Sequence, residues 1–161
     1  MINNQLLTLA ANITADLADL ERVVDRANLI FQKASQTNDD AYLDGLALNL
    51  HGFYAGVEHI FEAIARTVDG SLPNDPNWHQ ALLRQMMVEI PTIRPAVISQ
   101  QTYDCLETYR SFRHIVRNVY TFNLRGTRLK ELATELRPCL TAVTHDLTQF
   151  TEFLQQLAQD D

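Results

Sequence analysis

Residues from about Asn3 to Ser35 contain no Gly or Pro, and their apolar positions recur at helical spacing: Leu6, Leu9, Ile13, Leu17, Leu20, Val24, Ala27, Ile30 and Phe31. This period predicts one long amphipathic helix with a single apolar stripe. A stripe of that length needs partner helices to cover it, which confines the chain to a helical layer architecture.

The partners can be read from the sequence that follows. Thr37-Asn38-Asp39-Asp40 is a turn with capping chemistry for a second long helix, from about Asp40 to Thr67. Its stripe is Leu43, Leu46, Leu50, Phe53, Val57, Ile60, Phe61 and Ile64. Gly45, Gly52 and Gly56 recur on it at a cost in helix propensity, so close helix–helix approach is expected there. The stretch Asp69 to Pro76 breaks the pattern. Asp75 is placed to cap a short third helix, with Pro76 at its first position and its end near Val88. Pro91 to Pro95 reads as a non-helical crossing. A fourth helix starts near Ser99 and ends at Asn123-Leu124-Arg125-Gly126. A fifth runs from Thr127 to about Ala158, with a kink expected at Pro138. No strand pattern and no internal repeat is present. The expectation is an all-α, antiparallel four-helix bundle plus one short helix, as a single domain over residues 1–161.

Apolar residues at 46% and charged residues at 20% fit a folded domain. Thirteen basic against twenty acidic residues give a formal charge of −7, which argues against a non-specific coater of duplex nucleic acid. Cys105 and Cys139 both fall in apolar-periodic helical segments and are expected as buried thiols, without a disulfide framework or a zinc site. The N-terminal residues lack the charged start and apolar run of a signal peptide, and no apolar run has the length of a membrane span. A cytoplasmic protein is expected.

Against this acidic background one window reverses the charge. Six of the thirteen basic residues lie between Arg110 and Lys130, where there is no Asp or Glu. On a helical wheel Cys105, Tyr109, Phe112, Val116 and Val119 share one side, and Arg110, His114, Arg117 and Thr121 the other. Arg113 and Tyr120 sit together on one border, and Asn118 on the opposite border. Such a helix buries its apolar stripe and presents a cationic, hydrogen-bonding strip, either as a solvated face or as a local anion site. His and Arg are the natural pair for phosphodiester chemistry without a metal, because His titrates near neutral pH and Arg forks onto phosphate oxygens.

Other chemistry is poorly represented. Glu58, His59 and Glu62 fall short of the two Glu-x-x-His motifs and two further carboxylates of a di-iron bundle, so they read as a hydrated polar face. No metal or cofactor is expected. His51, His79 and His145 are isolated in sequence, and Trp78-His79 reads as a packing anchor or a substrate-side wall, with packing preferred. There is no Gly-rich phosphate loop and no G-x-S-x-G.

With these residues in view, the chain resembles the HEPN superfamily, and within it the HepT-like toxins, whose hallmark is Arg-x4-His-x-Tyr. Arg113-His114-Ile115-Val116-Arg117-Asn118-Val119-Tyr120 follows that pattern with Asn118 at the His position. Gly56-Val57-Glu58-His59-Ile60-Phe61, Leu72-Pro73, Trp78-His79, Leu82-Leu83 and Arg94-Pro95 resemble one branch of the family in order, so the likeness spans roughly residues 40 to 130. The resemblance implies a homodimer with the two motif helices facing across a shared cleft. It also implies metal-independent endoribonuclease activity, with Arg113 and the residue at 118 catalytic and Arg110, His114 and Arg117 on the RNA side. It further implies an MNT-type nucleotidyltransferase antitoxin that transfers AMP to Tyr120.

The departure at 118 carries weight, because Asn hydrogen-bonds but exchanges no proton near neutral pH. Three expectations follow: an inactivated toxin, whether by substitution or by natural loss; a site in which adjacent His114 substitutes; or a non-catalytic subunit that presents substrate or Tyr120 to a nucleotidyltransferase. A purely structural bundle whose basic strip pairs with an acidic partner is the remaining alternative.

Overall fold

The computed structural model describes residues 2–118 and 126–160, with side chains for all of these except 114–118. The described residues form α1 (Ile2–Gln36), α2 (Ala41–Ile64), α3 (Trp78–Met87), α4 (Gln100–Asn118) and α5 (Gly126–Gln159). The fold is an all-helical bundle, as the apolar periodicity predicts. Among the described residues the one strand-like pairing is an isolated bridge between Ile90 and Arg94.

α1 lies between α2 and α5, α4 closes the ring against both, and α3 packs across α2 and α4. The pairing is antiparallel. Gly45 lies beside Ile30 and Gly56 beside Leu20, so α1 and α2 run in opposite senses. Between α4 and α5, Ser99 meets Asp146 near one end while Tyr109 Oη donates to the Leu132 carbonyl at 2.7 Å further along. Along α1 the stripe read from sequence is the buried one, from Leu6 to Ile30, and Val24 and Ala27 have no exposed surface. The α2, α3 and α5 stripes complete a single core.

The helix ends follow from local chemistry. Asp39 Oδ1 accepts the Ala41 N–H at 2.9 Å and opens α2. α2 runs on into a π-helical turn, Ala65–Asp69, closed by Gly70 in the left-handed region at φ 66°. α3 begins later than expected. Asp75 Oδ1 accepts the Asn77 N–H at 3.0 Å, and its carbonyl accepts from Trp78, so a turn precedes the helix instead of Pro76 starting it. Ser99 Oγ accepts the Thr102 N–H and heads α4. Pro138 is carried inside an unbroken α5. The residues named from sequence as the α4 terminus, Asn123 to Arg125, lie outside the described residues.

Two sequence expectations are overturned. Cys105 and Cys139 are joined in a disulfide that staples α4 to α5, with Cα atoms 5.8 Å apart. The sequence places both cysteines on apolar faces, but the register of two antiparallel helices decides whether those faces bring them together. Secondly, close approach explains one α2 glycine and not all three. A Cβ at Gly56 would lie 2.7 Å from Leu20 Cδ2, whereas one at Gly52 would meet nothing within 4 Å.

Candidate functional site

α2, α3 and α4 converge on a polar cluster set into the bundle. Glu58 lies one turn beyond Tyr54 on α2, flanked by the stripe residues Val57 and Phe61, and is 4% exposed. A carboxylate withdrawn from water is costly unless it is paired and hydrogen-bonded. Its partner comes from α3: His79 Nδ1 lies 2.7 Å from Glu58 Oε2. Two corrections follow. Glu58 is not part of a hydrated face, and His79 is not isolated, because the fold brings together residues 21 apart in sequence. Trp78 stacks on the same imidazole, with ring centroids 3.6 Å apart and planes inclined at 30°. The packing role read for Trp78 holds, since it also lies against the core.

Arg113 of α4 completes the cluster. Its Nη1 is 3.2 Å from His79 Nε2 and 3.3 Å from Nδ1. A nitrogen nearly equidistant from both ring nitrogens lies over the ring, not along either lone pair. The indole occupies one face of the imidazole and leaves the other to the guanidinium.

Partial burial without a carboxylate sets Arg113 apart from the exposed Arg26 and Arg84 and from the paired arginines. Arg22, Arg66, Arg94, Arg110, Arg128 and Arg137 each meet a carboxylate. Among the described residues Arg113 meets an imidazole instead, and its buried Nε has no acceptor. Arg110, one turn earlier, is forked onto Glu107 through Nε at 2.8 Å and Nη2 at 2.5 Å. That hydrogen bonding pushes the Arg110 pKa further up and neutralises part of the cationic strip. Tyr54 of α2 is buried within electrostatic reach of both arginines. Burial, and next the charge of Glu58, push its phenol well above the ordinary tyrosine range, so it is a neutral hydroxyl at physiological pH.

Of the residues singled out from sequence, the structure brings Arg113 and Arg110 to adjacent turns of one helix. His114, Arg117 and Asn118 lie on the same helix, their side chains outside the described set. Tyr120 lies outside the described residues. Sequence reasoning missed Glu58 and His79. The available signal was a carboxylate on the buried side of α2 and an aromatic-His pair opening α3. No group of three or more His, Cys, Asp or Glu that could hold a metal occurs among the described residues, and no described helix is long and apolar enough to cross a membrane.

A family model described as HepT-like protein matches residues 45–154, more than half of the chain. The matched span contains Glu58, His79, Arg113 and the disulfide. No curated protein and no solved structure matches the chain.

Proposed function

The chain belongs to the HepT-like family of the HEPN superfamily, and on that premise we propose that it is the ribonuclease toxin of a two-protein toxin–antitoxin pair. At the family level the class is that of HEPN-type nucleases paired with a nucleotidyltransferase antitoxin. The finer reading is metal-independent RNA cleavage in a cleft shared by two copies, with Arg113 stabilising the charge that develops on phosphate. Arg110, His114 and Arg117 extend the RNA-facing strip, and Tyr120 receives AMP from the antitoxin. An AMP on Tyr120 adds anionic phosphate and a purine beside the motif, which excludes RNA.

The observation that carries this reading is the state of Arg113. A guanidinium held over an imidazole, with no carboxylate against it among the described residues, keeps its charge for an incoming anion. Asn118 leaves the motif without a proton-transfer group, a loss that ordinarily lowers rates by about 10²–10⁴. The test compares RNA cleavage and growth arrest by the native chain, Asn118→His and Arg113→Ala at matched folding. The expected result is fast cleavage and arrest by Asn118→His, much slower cleavage by the native chain, and none by Arg113→Ala. Inert Asn118→His protein defeats the reading.

Asn118 also favours a second reading, a non-catalytic subunit that binds RNA or offers Tyr120 to the nucleotidyltransferase. RNA binding with unaltered affinity in an inert Asn118→His protein supports it.

A further inference from the structure

Glu58 is buried, and among the described residues its one hydrogen-bond partner is His79. A carboxylate accepts and does not donate, so His79 Nδ1 carries the hydrogen in the 2.7 Å contact. In the neutral ring Nδ1 therefore donates to Glu58, and Nε2 carries the lone pair. Arg113 Nη1 stands 3.2 Å from Nε2, beside the ring nitrogen that Glu58 does not hold. The His79 side chain is 22% exposed and that of Glu58 5%, so the ring reaches solvent while its anchor does not. Trp78 against the other face holds the ring plane. A carboxylate that orients a partly exposed imidazole, with a cation beside the opposite nitrogen, is the arrangement of a general base next to an anion site.

We infer that His79, oriented by Glu58, is the proton-transfer residue of the Arg113 site, acting on an RNA phosphodiester in place of the imidazole that Asn118 does not supply. The inference rests on the ribonuclease reading above and adds the residue that performs its chemistry. His79 Nε2 takes the proton of a ribose 2′-hydroxyl. The electron pair of that oxygen forms a new bond to phosphorus, while Arg113 holds the charge on the phosphoryl oxygens. The bond from phosphorus to the 5′-oxygen breaks, and its electron pair stays on that oxygen. The 5′-oxygen takes a proton from water, and the hydroxide so formed takes the proton from imidazolium. The products are a 2′,3′-cyclic phosphate end and a 5′-hydroxyl end, with no change of oxidation state. His79 is the catalytic residue in this scheme and Glu58 a positioning residue.

The experiment measures cleavage of a single-stranded RNA oligonucleotide by the full chain, with Arg113→Ala as the blank. His79→Gln is introduced into the native and the Asn118→His backgrounds, and Glu58→Gln into the native one. The native chain is expected to cleave above the blank. His79→Gln should reduce native cleavage to the blank. Its effect should be at least tenfold larger in the native background than beside His at 118, a difference that loss of packing does not produce. Glu58→Gln keeps an acceptor for Nδ1, and should lower kcat with KM little changed and without unfolding the chain. The inference is overturned if Asn118→His cleaves while the native chain matches the blank. It is also overturned if His79→Gln lowers both backgrounds equally, or if Glu58→Gln leaves kcat at the native value. Failure of every variant to cleave, Asn118→His included, overturns the ribonuclease reading and the inference with it.

Discussion

Asp69 and Arg94 meet with 1% and 0% of their side-chain surface exposed, Arg94 Nε at 2.6 Å and Nη2 at 2.9 Å from the two carboxylate oxygens. The remaining guanidinium N–H groups go to the carbonyls of Gln85, Val88 and Pro95, so all five donors are used. Gln85 bonds Asp69 Oδ2 in turn. The chain between α2 and α4 packs Leu82, Leu83, Met86, Val97 and Ile98 into the core, and this ion pair ties the π-helical turn after α2 to the segment before α4.

Asp69→Asn leaves that guanidinium buried without a counter-charge, and breaking such a pair from one side costs about 3–5 kcal/mol. The expected result is a large fall in the urea midpoint with helicity retained. A paired Asp69→Leu, Arg94→Met change should cost less than the single substitution. A shift of less than about 1 kcal/mol for Asp69→Asn would mean that the pair does not organise the crossing.

Gly52 and Gly56 should respond in opposite directions. Gly52→Ala adds a methyl to open space, and relief of the glycine cost should stabilise by about 0.5–1 kcal/mol. Gly56→Ala drives a methyl to 2.7 Å from Leu20 Cδ2, and Leu20 is itself buried. Overpacking of about 1–3 kcal/mol then exceeds the helix gain, and net destabilisation is expected by chemical denaturation.

The two buried phenols make stability fall at alkaline pH. Burial raises the pKa of Tyr54 and of Tyr109 above the value of the unfolded chain. Above pH ~10 the unfolded state releases phenolic protons that the folded state retains, so the contribution is full below that pH and declines above it. Tyr54→Phe and Tyr109→Phe should each flatten the decline in a series of denaturation curves. Tyr109→Phe should also cost about 0.5–1.5 kcal/mol near neutral pH, through its lost bond to the Leu132 carbonyl.

Under the proposed function, Arg113 and Arg110 should separate although both are arginines on α4. Arg113→Lys loses the planar fork over His79, and a cleavage loss of about 10²–10³ is expected from the Asn118→His protein. Arg110→Lys changes a group already committed to Glu107, and a change of no more than a few-fold is expected. Equal losses in a single-turnover assay would contradict the assignment.

Cys105→Ser with Cys139→Ser removes a crosslink across a sequence separation of 34. A loop of that size is expected to contribute about 3–4 kcal/mol through the unfolded state. Reductant should lower the native midpoint toward that of the double variant and leave the variant unaffected. Equal midpoints for native chain and variant without reductant would show that the bridge does not form.

The helices were legible because each stripe repeats with one period, so Leu6 to Ile30 and Leu46 to Ile64 could be assigned to the core from sequence alone. Arg113 was legible because it lies in a charge reversal and in a recognisable motif. Glu58 and His79 were not, because their pairing depends on how α3 crosses α2, and neither residue shows that crossing in its local pattern. The disulfide was hidden for the same reason: Cys105 and Cys139 carry ordinary apolar-face spacing, and only the register of α4 against α5 joins them. The glycines misled in a different way, since recurrence on α2 suggested one cause where the structure gives Gly56 a close neighbour and Gly52 none.

The bond between Cys105 and Cys139 also makes the chain between them a closed ring, and that ring holds Arg113, Asn118 and Tyr120. A protease that cuts once inside it leaves a single covalent molecule, with the new ends still tethered through α4 and α5. Two fragments separate only after reduction. A motif nicked once therefore keeps its two halves covalently joined until the disulfide is reduced.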